Sequence, residues 1–377
     1  MKILLSIAIS ATIFATIYAK FSYETGYCEP SISNVIQEMF SIELTALINP
    51  SVRFSRNKGI RYDLYTSRNP YERQVLATGD RDALHESNFS SKWPVRFLIH
   101  GWTGKSTTCS NAAIKDAYLA NDGNFNIIIV DWSDYSLDIR YSRISKQLPS
   151  IAASLVKFVR FLQRETDISY ESIYLIGHSA GSHISGLAGK MLKPNKLGTI
   201  YALDPAGLTQ LNLGERYRLS PNDANYVESI HSDVTLLGNP NYKLSHAAFF
   251  PNWGHGQPQC PNTTAAELDF TCDHYSAIYY FSESIRNAEL FGAIQCANPQ
   301  NIKQFKCVCP NGHEECKSQA FMGGEPAVTK RGVFYFSTSA KTPFGYGGMV
   351  RMKPPIHSRT TAVRKTNYMI RGFLSRW

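Results

Sequence analysis

No repeat and no heptad runs through the 377 residues, so solenoid and coiled-coil architectures are excluded. Cysteine spacing suited to zinc is also missing. Cys307-Val308-Cys309 leaves a single residue between thiols, too few for a metal clip. The last segment, Tyr346 to Trp377, has seven Lys or Arg and no Asp or Glu. The formal net charge of +9 therefore sits largely in that tail. The remainder is nearly balanced; the tail fits an anionic lipid surface or is merely a solvated segment, and nucleic acid is not expected as a partner.

What is present begins with a leader. Lys2 precedes an uncharged stretch from Ile3 to Ala19, the pattern of a secretory signal peptide over residues 1–19, with an N-terminal membrane anchor as the competing reading. Eight cysteines follow: Cys28, Cys109, Cys260, Cys272, Cys296, Cys307, Cys309 and Cys316. An even count behind a leader predicts disulfides and an extracellular location. The sequons at Asn88 and Asn262 fit the same compartment as glycosylation candidates.

Apolar runs at Val95–Ile99, Asn126–Val130, Ser172–Ile176, Thr199–Leu203 and Val227–Ile230 read as buried strands. Between them lie stretches of helical period, clearest at Ile151–Leu162. Strands alternating with helices predict an α/β fold, a mainly parallel central sheet with helices on both faces. The segment Asn298–Gly324 reads as a stapled loop excursion, and Gly332–Phe336 as a late strand. Beyond Pro343 the chain offers little for a core, apart from a possible terminal helix near Ala362–Phe373. The division expected is a catalytic domain over 20–345 and a basic tail over 346–377.

Gly177-His178-Ser179-Ala180-Gly181 stands between the strand Ser172–Ile176 and a helical run from His183 to Met191. Strand, G-x-S-x-G, helix is the setting of a nucleophile elbow. The bare pattern arises by chance in on the order of one chain in ten, so its flanks carry the signal. A serine hydroxyl needs a base, and the base needs an orienting acid. Asp204, at the end of Thr199–Leu203 and before Pro205, is placed for the acid; its alternative role is turn former or cap. His178, His183, His231, His246, His255 and His274 are available as base by position, with His231 the main rival to His274. Trp102 and Ala180 are assigned the backbone N–H groups of an oxyanion hole, because Ile99-His100-Gly101-Trp102 follows a strand end as the elbow does.

Taken together, Ile99-His100-Gly101-Trp102, Val130-Asp131-Trp132-Ser133, the elbow, Leu203-Asp204-Pro205-Ala206-Gly207, Ile230-His231-Ser232-Asp233 and Cys272-Asp273-His274 resemble the catalytic domain of the pancreatic lipase family, in the same order, from about Glu24 to Phe344. The resemblance implies an α/β-hydrolase fold with Ser179 as nucleophile, Asp204 as acid and His274, rather than His231, as base. It implies the pairs Cys28–Cys109, Cys260–Cys272, Cys296–Cys307 and Cys309–Cys316, and no cofactor. Three departures matter. The lid segment between Cys260 and Cys272 holds only eleven residues, as in the insect lipases and venom phospholipase A1 enzymes. The family's C-terminal β-sandwich has no counterpart, so no colipase-type partner is expected, and a monomer is. Relatives often bind calcium in the segment matching Glu215 to Asp223, and Ser220 stands here where a second aspartate would, so no metal is expected. The reading is a secreted serine esterase acting on lipid at a membrane or micelle surface, of phospholipase A1 type. The alternatives are a triacylglycerol lipase, or a non-catalytic yolk-like lipid-binding protein; such relatives lose the nucleophile, whereas all three triad positions are filled here.

Overall fold

The computed structural model describes residues 59–137, 141–207, 213–260 and 271–354. The leader, Cys28, Asn262, the segment expected as a lid and the terminal helix lie outside the described residues. So does the basic tail from residue 355 onward.

Strands β1 (Arg61–Tyr65), β2 (Gln74–Leu76), β3 (Val95–Ile99), β4 (Asn126–Asp131), β5 (Ile173–His178), β6 (Leu197–Leu203), β7 (Ala224–Ile230), β8 (Ala247–Pro251), β9 (Gly292–Gln295), β11 (Ala320–Phe321) and β12 (Gly332–Phe336) form one sheet. Its order is β11-β9-β12-β8-β7-β6-β5-β3-β4-β1-β2. From β4 through β12 every neighbour pair is parallel. The antiparallel pairs lie at the two edges. This is the mainly parallel α/β sheet that the alternating pattern predicts, in keeping with the α/β-hydrolase fold that the family resemblance implies.

The interior strands carry apolar side chains on both faces, as parallel strands buried on both sides must. On β3, Phe97 and Ile99 enter one core and Leu98 the other. On β4, Ile128 and Val130 alternate with Ile127 and Ile129 in the same way. Helix α1 (Cys109–Leu119) and helix α4 (Thr271–Arg286) cover one face through Ile114, Tyr118, Ile278 and Phe281. Helices α2 (Tyr141–Thr166) and α3 (Ala180–Leu192) cover the other through Leu155, Phe158, Ile184 and Leu187. Helix α2 extends a full ten residues before the periodic stretch that reveals it in sequence, across Pro149, a residue that normally breaks a helix.

The chain beyond Pro343 corrects the expected domain boundary. Phe344 and Val350 are fully buried. Strand β13 (Met349–Arg351) pairs with β10 (Glu315–Lys317), so the stapled excursion carries a small second sheet of its own. Lys353 is fixed at both ends: its carbonyl accepts the Trp253 indole N–H at 2.9 Å, and its ammonium donates to the Thr338 carbonyl at 2.6 Å. The folded body therefore continues through residue 353. Three of the four expected disulfides are formed, Cys260–Cys272, Cys296–Cys307 and Cys309–Cys316. The fourth, Cys28–Cys109, falls partly outside the described residues; Cys109 itself opens α1 at an exposed position.

Candidate active site

The C-terminal ends of β3, β5 and β6 lie side by side, and each hands the chain to a candidate functional residue. After β5 the backbone turns at Ser179, held at φ 55° and ψ −119°. That conformation is strained for a residue with a Cβ, and neighbours enforce it. Ser179 N–H donates to the Leu203 carbonyl at 3.0 Å, and the Ala206 N–H donates to the Ser179 carbonyl at 3.2 Å. The glycines on either side are obligatory. A Cβ on Gly177 would stand 2.4 Å from the Gly181 carbonyl oxygen, and one on Gly181 would stand 2.2 Å from that of Ile99. These close approaches bring α3 directly over the ends of β3 and β5.

The turn after β3 lies against the elbow. A Cβ on Gly101 would sit 2.8 Å from the Ser179 Cβ. His100 and Trp132 hold this turn: the Trp132 indole N–H donates to the His100 carbonyl at 2.9 Å, and the two rings stack at 5.1 Å. The Val130-Asp131-Trp132-Ser133 motif thus braces the turn that carries Trp102.

Asp204 follows β6, with φ 40° and no exposed surface. One carboxylate oxygen, Oδ1, accepts the N–H groups of Ser232 and Asp233 at 2.8 and 3.0 Å. The other, Oδ2, lies 2.5 Å from His274 Nδ1. Burial pushes the Asp204 carboxyl up, and His274 with the backbone donors opposes that push. Gly238, which sequence reasoning passes over, makes room for the carboxylate: a Cβ there would stand 2.5 Å from Oδ2.

His274 sits in the first turn of α4, with Cys272 tied to Cys260 two residues earlier. Asp273 fixes the same turn by accepting the N–H groups of Gly256 and Gln257, each at 2.8 Å. From the elbow side, His178 Nε2 lies 3.2 Å from the His274 carbonyl, with the rings 4.5 Å apart. Ser179, Asp204, His274 and the Gly101–Trp102 turn are thereby gathered at one end of the sheet.

The rival bases are committed elsewhere. His231 Nδ1 meets the Asn239 carbonyl and Nε2 meets Ser229 Oγ, both at 2.7 Å. His183 Nε2 donates to the Ala206 carbonyl at 2.8 Å, and its Nδ1 accepts the Leu219 N–H at 3.3 Å. Burial holds both rings neutral, with pKa values lowered to about 4. A folded-state value below the unfolded one of about 6.5 means that the native state binds fewer protons. Their stabilisation is then complete above about pH 6.5 and is lost as pH falls towards 4, by roughly 3 kcal/mol for each ring. The melting temperature is expected to drop steeply between pH 6.5 and 4.5 in calorimetry; a flat profile would contradict the assignment.

Among the described residues, the metal-capable side chains that converge are Asp204, Asp233 and His274. The carboxylate oxygens are already engaged. Asp233 Oδ1 accepts Thr235 N–H, Thr235 Oγ1–H and Leu236 N–H, and Oδ2 accepts Leu237 N–H. With Asp204 saturated as well, the cluster is a hydrogen-bonded support for His274 rather than a cation cage. Asn88 is half-buried, beside β2, its backbone N–H donating to Gln74.

The lipase family model matches residues 34–344. Pancreatic lipase-related protein 2 of Cavia porcellus is 33% identical, over 66% of this chain and 57% of its own length. Pancreatic triacylglycerol lipase of the same species is 31% identical, over 76% and 64%. Lipase member H of Rattus norvegicus is 31% identical, over 76% and 63%. The chain spans about three fifths of the length of these curated relatives. Among solved structures, an acetyl xylan esterase from Aspergillus awamori superposes with a TM-score of 0.34 at 10% identity, covering 84% of this chain and 95% of that one; at that score the likeness carries no weight. The elbow, the buried Asp204–His274 pair and a family match across most of the chain agree: this chain belongs to the pancreatic lipase family.

Proposed function

We propose that the protein is a secreted serine hydrolase of lipid carboxylic esters that cleaves phospholipids in the phospholipase A1 manner. The observation that carries the reading is the buried Asp204–His274 pair at the same end of the sheet as a serine held in a strained elbow. Ser179 Oγ attacks the ester carbonyl as His274 Nε2 takes its proton. The N–H groups of Trp102 and Ala180 receive the oxyanion, and His274 returns the proton to the leaving alcohol. Water then repeats the sequence on the acyl-enzyme. Asp204 stays ionised throughout, fixing the tautomer that leaves Nε2 free to accept.

The three disulfides fit an oxidising, extracellular compartment. The Cys260–Cys272 bond closes a segment of only eleven residues, which supports the phospholipid preference. So short a lid covers little apolar groove and imposes little opening penalty. The similarity to a protein named pancreatic triacylglycerol lipase keeps neutral glycerolipid as the second reading.

The test is hydrolysis of phosphatidylcholine and a long-chain triglyceride side by side, with a short-chain ester titrated through its solubility limit. The expected result is faster phospholipid cleavage and no jump in rate when an interface forms. On anionic vesicles the basic tail should add rate that fades as salt screens it. A steep interfacial jump with preference for triglyceride would overturn the proposal.

A further inference from the structure

The fold family implies a calcium ion on the segment 215–223, and the residues here do not fit one. A hard cation of that kind needs six to eight oxygen ligands. Asp223 is the carboxylate that should anchor it, and both of its oxygens are already occupied. The Lys190 ammonium donates to Oδ1 and, at 2.5 Å, to Oδ2. Ser220 N–H donates to Oδ2 at 2.7 Å, and Ser220 Oγ–H donates to Oδ1 at 2.9 Å. Lys190 also donates to Ser220 Oγ at 2.9 Å. Glu215 is exposed on a short helical turn and joins no convergent donor set among the described residues. A divalent ion on Asp223 would have to displace an ammonium already in contact with it.

The backbone is shaped around this contact. Gly186 and Gly189 present a bare strip of α3, four and one residues before Lys190. A Cβ on Gly189 would stand 2.1 Å from the Asp223 carbonyl oxygen, and one on Gly186 would stand 2.6 Å from Leu219 Cα. The segment thus lies directly on the helix, and Lys190 reaches over its edge. The Asp223 side chain is wholly buried there, and Lys190 is largely so. From this contact a connection runs to the candidate acid. Leu219, next to Ser220, donates its N–H to His183, and His183 donates to the carbonyl of Ala206, two residues past Asp204.

We infer that Lys190 is a tethered cation standing in the place of the family's calcium: it fastens the segment 215–223 to α3 and braces the Asp204 turn, making this chain independent of divalent ions. A covalently attached ammonium is present in every folded molecule, with no concentration dependence and no chelator sensitivity. It is a positioning residue and touches no reacting atom.

Thermal unfolding of the purified full chain tests this apart from any ester chemistry, so its failure and that of the hydrolase reading are distinguishable. Wild-type melting temperature should be the same, within about 1 °C, in millimolar CaCl2 and in EDTA. Lys190→Met leaves Asp223 buried and unpaired, and should melt roughly 5–10 °C lower. The double variant Lys190→Ser with Ser220→Asp restores a second carboxylate and removes the ammonium. It should gain several degrees in calcium and lose them in EDTA. A wild-type melting temperature that climbs by several degrees with calcium would overturn the inference, as would a Lys190→Met protein of unchanged stability. If Lys190→Met fails to fold, the calcium and EDTA arms on wild type still decide.

Discussion

Ser179→Ala is expected to lower kcat/KM by roughly five to six orders of magnitude while the protein still folds and secretes. Removing Oγ removes the only atom that can form the acyl-enzyme, and the residual rate comes from substrate binding and the oxyanion donors alone. The fold should survive because the elbow is held by its backbone. The bonds from Ser179 N–H to Leu203 and from Ala206 N–H to Ser179 involve no side chain, and the clearances at Gly177 and Gly181 are unchanged. A serine-directed organophosphate should label Ser179 in the wild type and nothing in the variant. Full activity in Ser179→Ala would end the proposal that this serine is the nucleophile.

The second large effect is at Asp204. Asp204→Asn should reduce kcat at neutral pH by about 10⁴. The amide oxygen can replace Oδ1 as acceptor for the Ser232 and Asp233 N–H groups, so the side chain keeps its place. The amide nitrogen then faces His274 Nδ1, where Oδ2 had been an acceptor. An NH₂ group donates, so Nδ1 must give up its proton and Nε2 must carry it. The ring is left in the tautomer that cannot take a proton from Ser179. The checks are steady-state kinetics and a melting curve: the rate should collapse while the melting temperature stays near wild type. A loss of rate accompanied by unfolding would instead assign Asp204 a purely structural part.

The portions of this architecture legible in sequence are those set by local pattern. Val95–Ile99 reads as a strand to the residue because five apolar-rich positions are buried on both faces of a parallel sheet. The elbow and Asp204 are legible because strand ends, glycine and proline mark abrupt turns. The edge strands β1 and β2 escape because their pairing is antiparallel and short, and nothing local announces it. Strand β8, wholly buried, is hidden by its length and its terminal Pro251. The onset of α4 is not marked locally, because the disulfide and Asp273 that let the helix start before His274 find their partners at a distance in sequence. Gly238 and Lys190 are invisible for the same reason. Their importance lies in what stands against them, and that partner is distant in sequence.

The sheet order also determines when the molecule becomes competent. The turn at Gly101–Trp102, Ser179, Asp204 and His274 come from four separate stretches of chain, aligned only by the parallel pairing of β3 with β5 and β5 with β6, and by α4 docked across them. Parallel neighbours require long crossovers, so their contacts are remote in sequence and slow to form. Helical signal can return well before these strands are in register, with no two members of the constellation yet adjacent. If the chain is the hydrolase proposed, recovered turnover is expected to lag the return of helical signal on refolding, because it reads the register of the central sheet rather than the quantity of secondary structure.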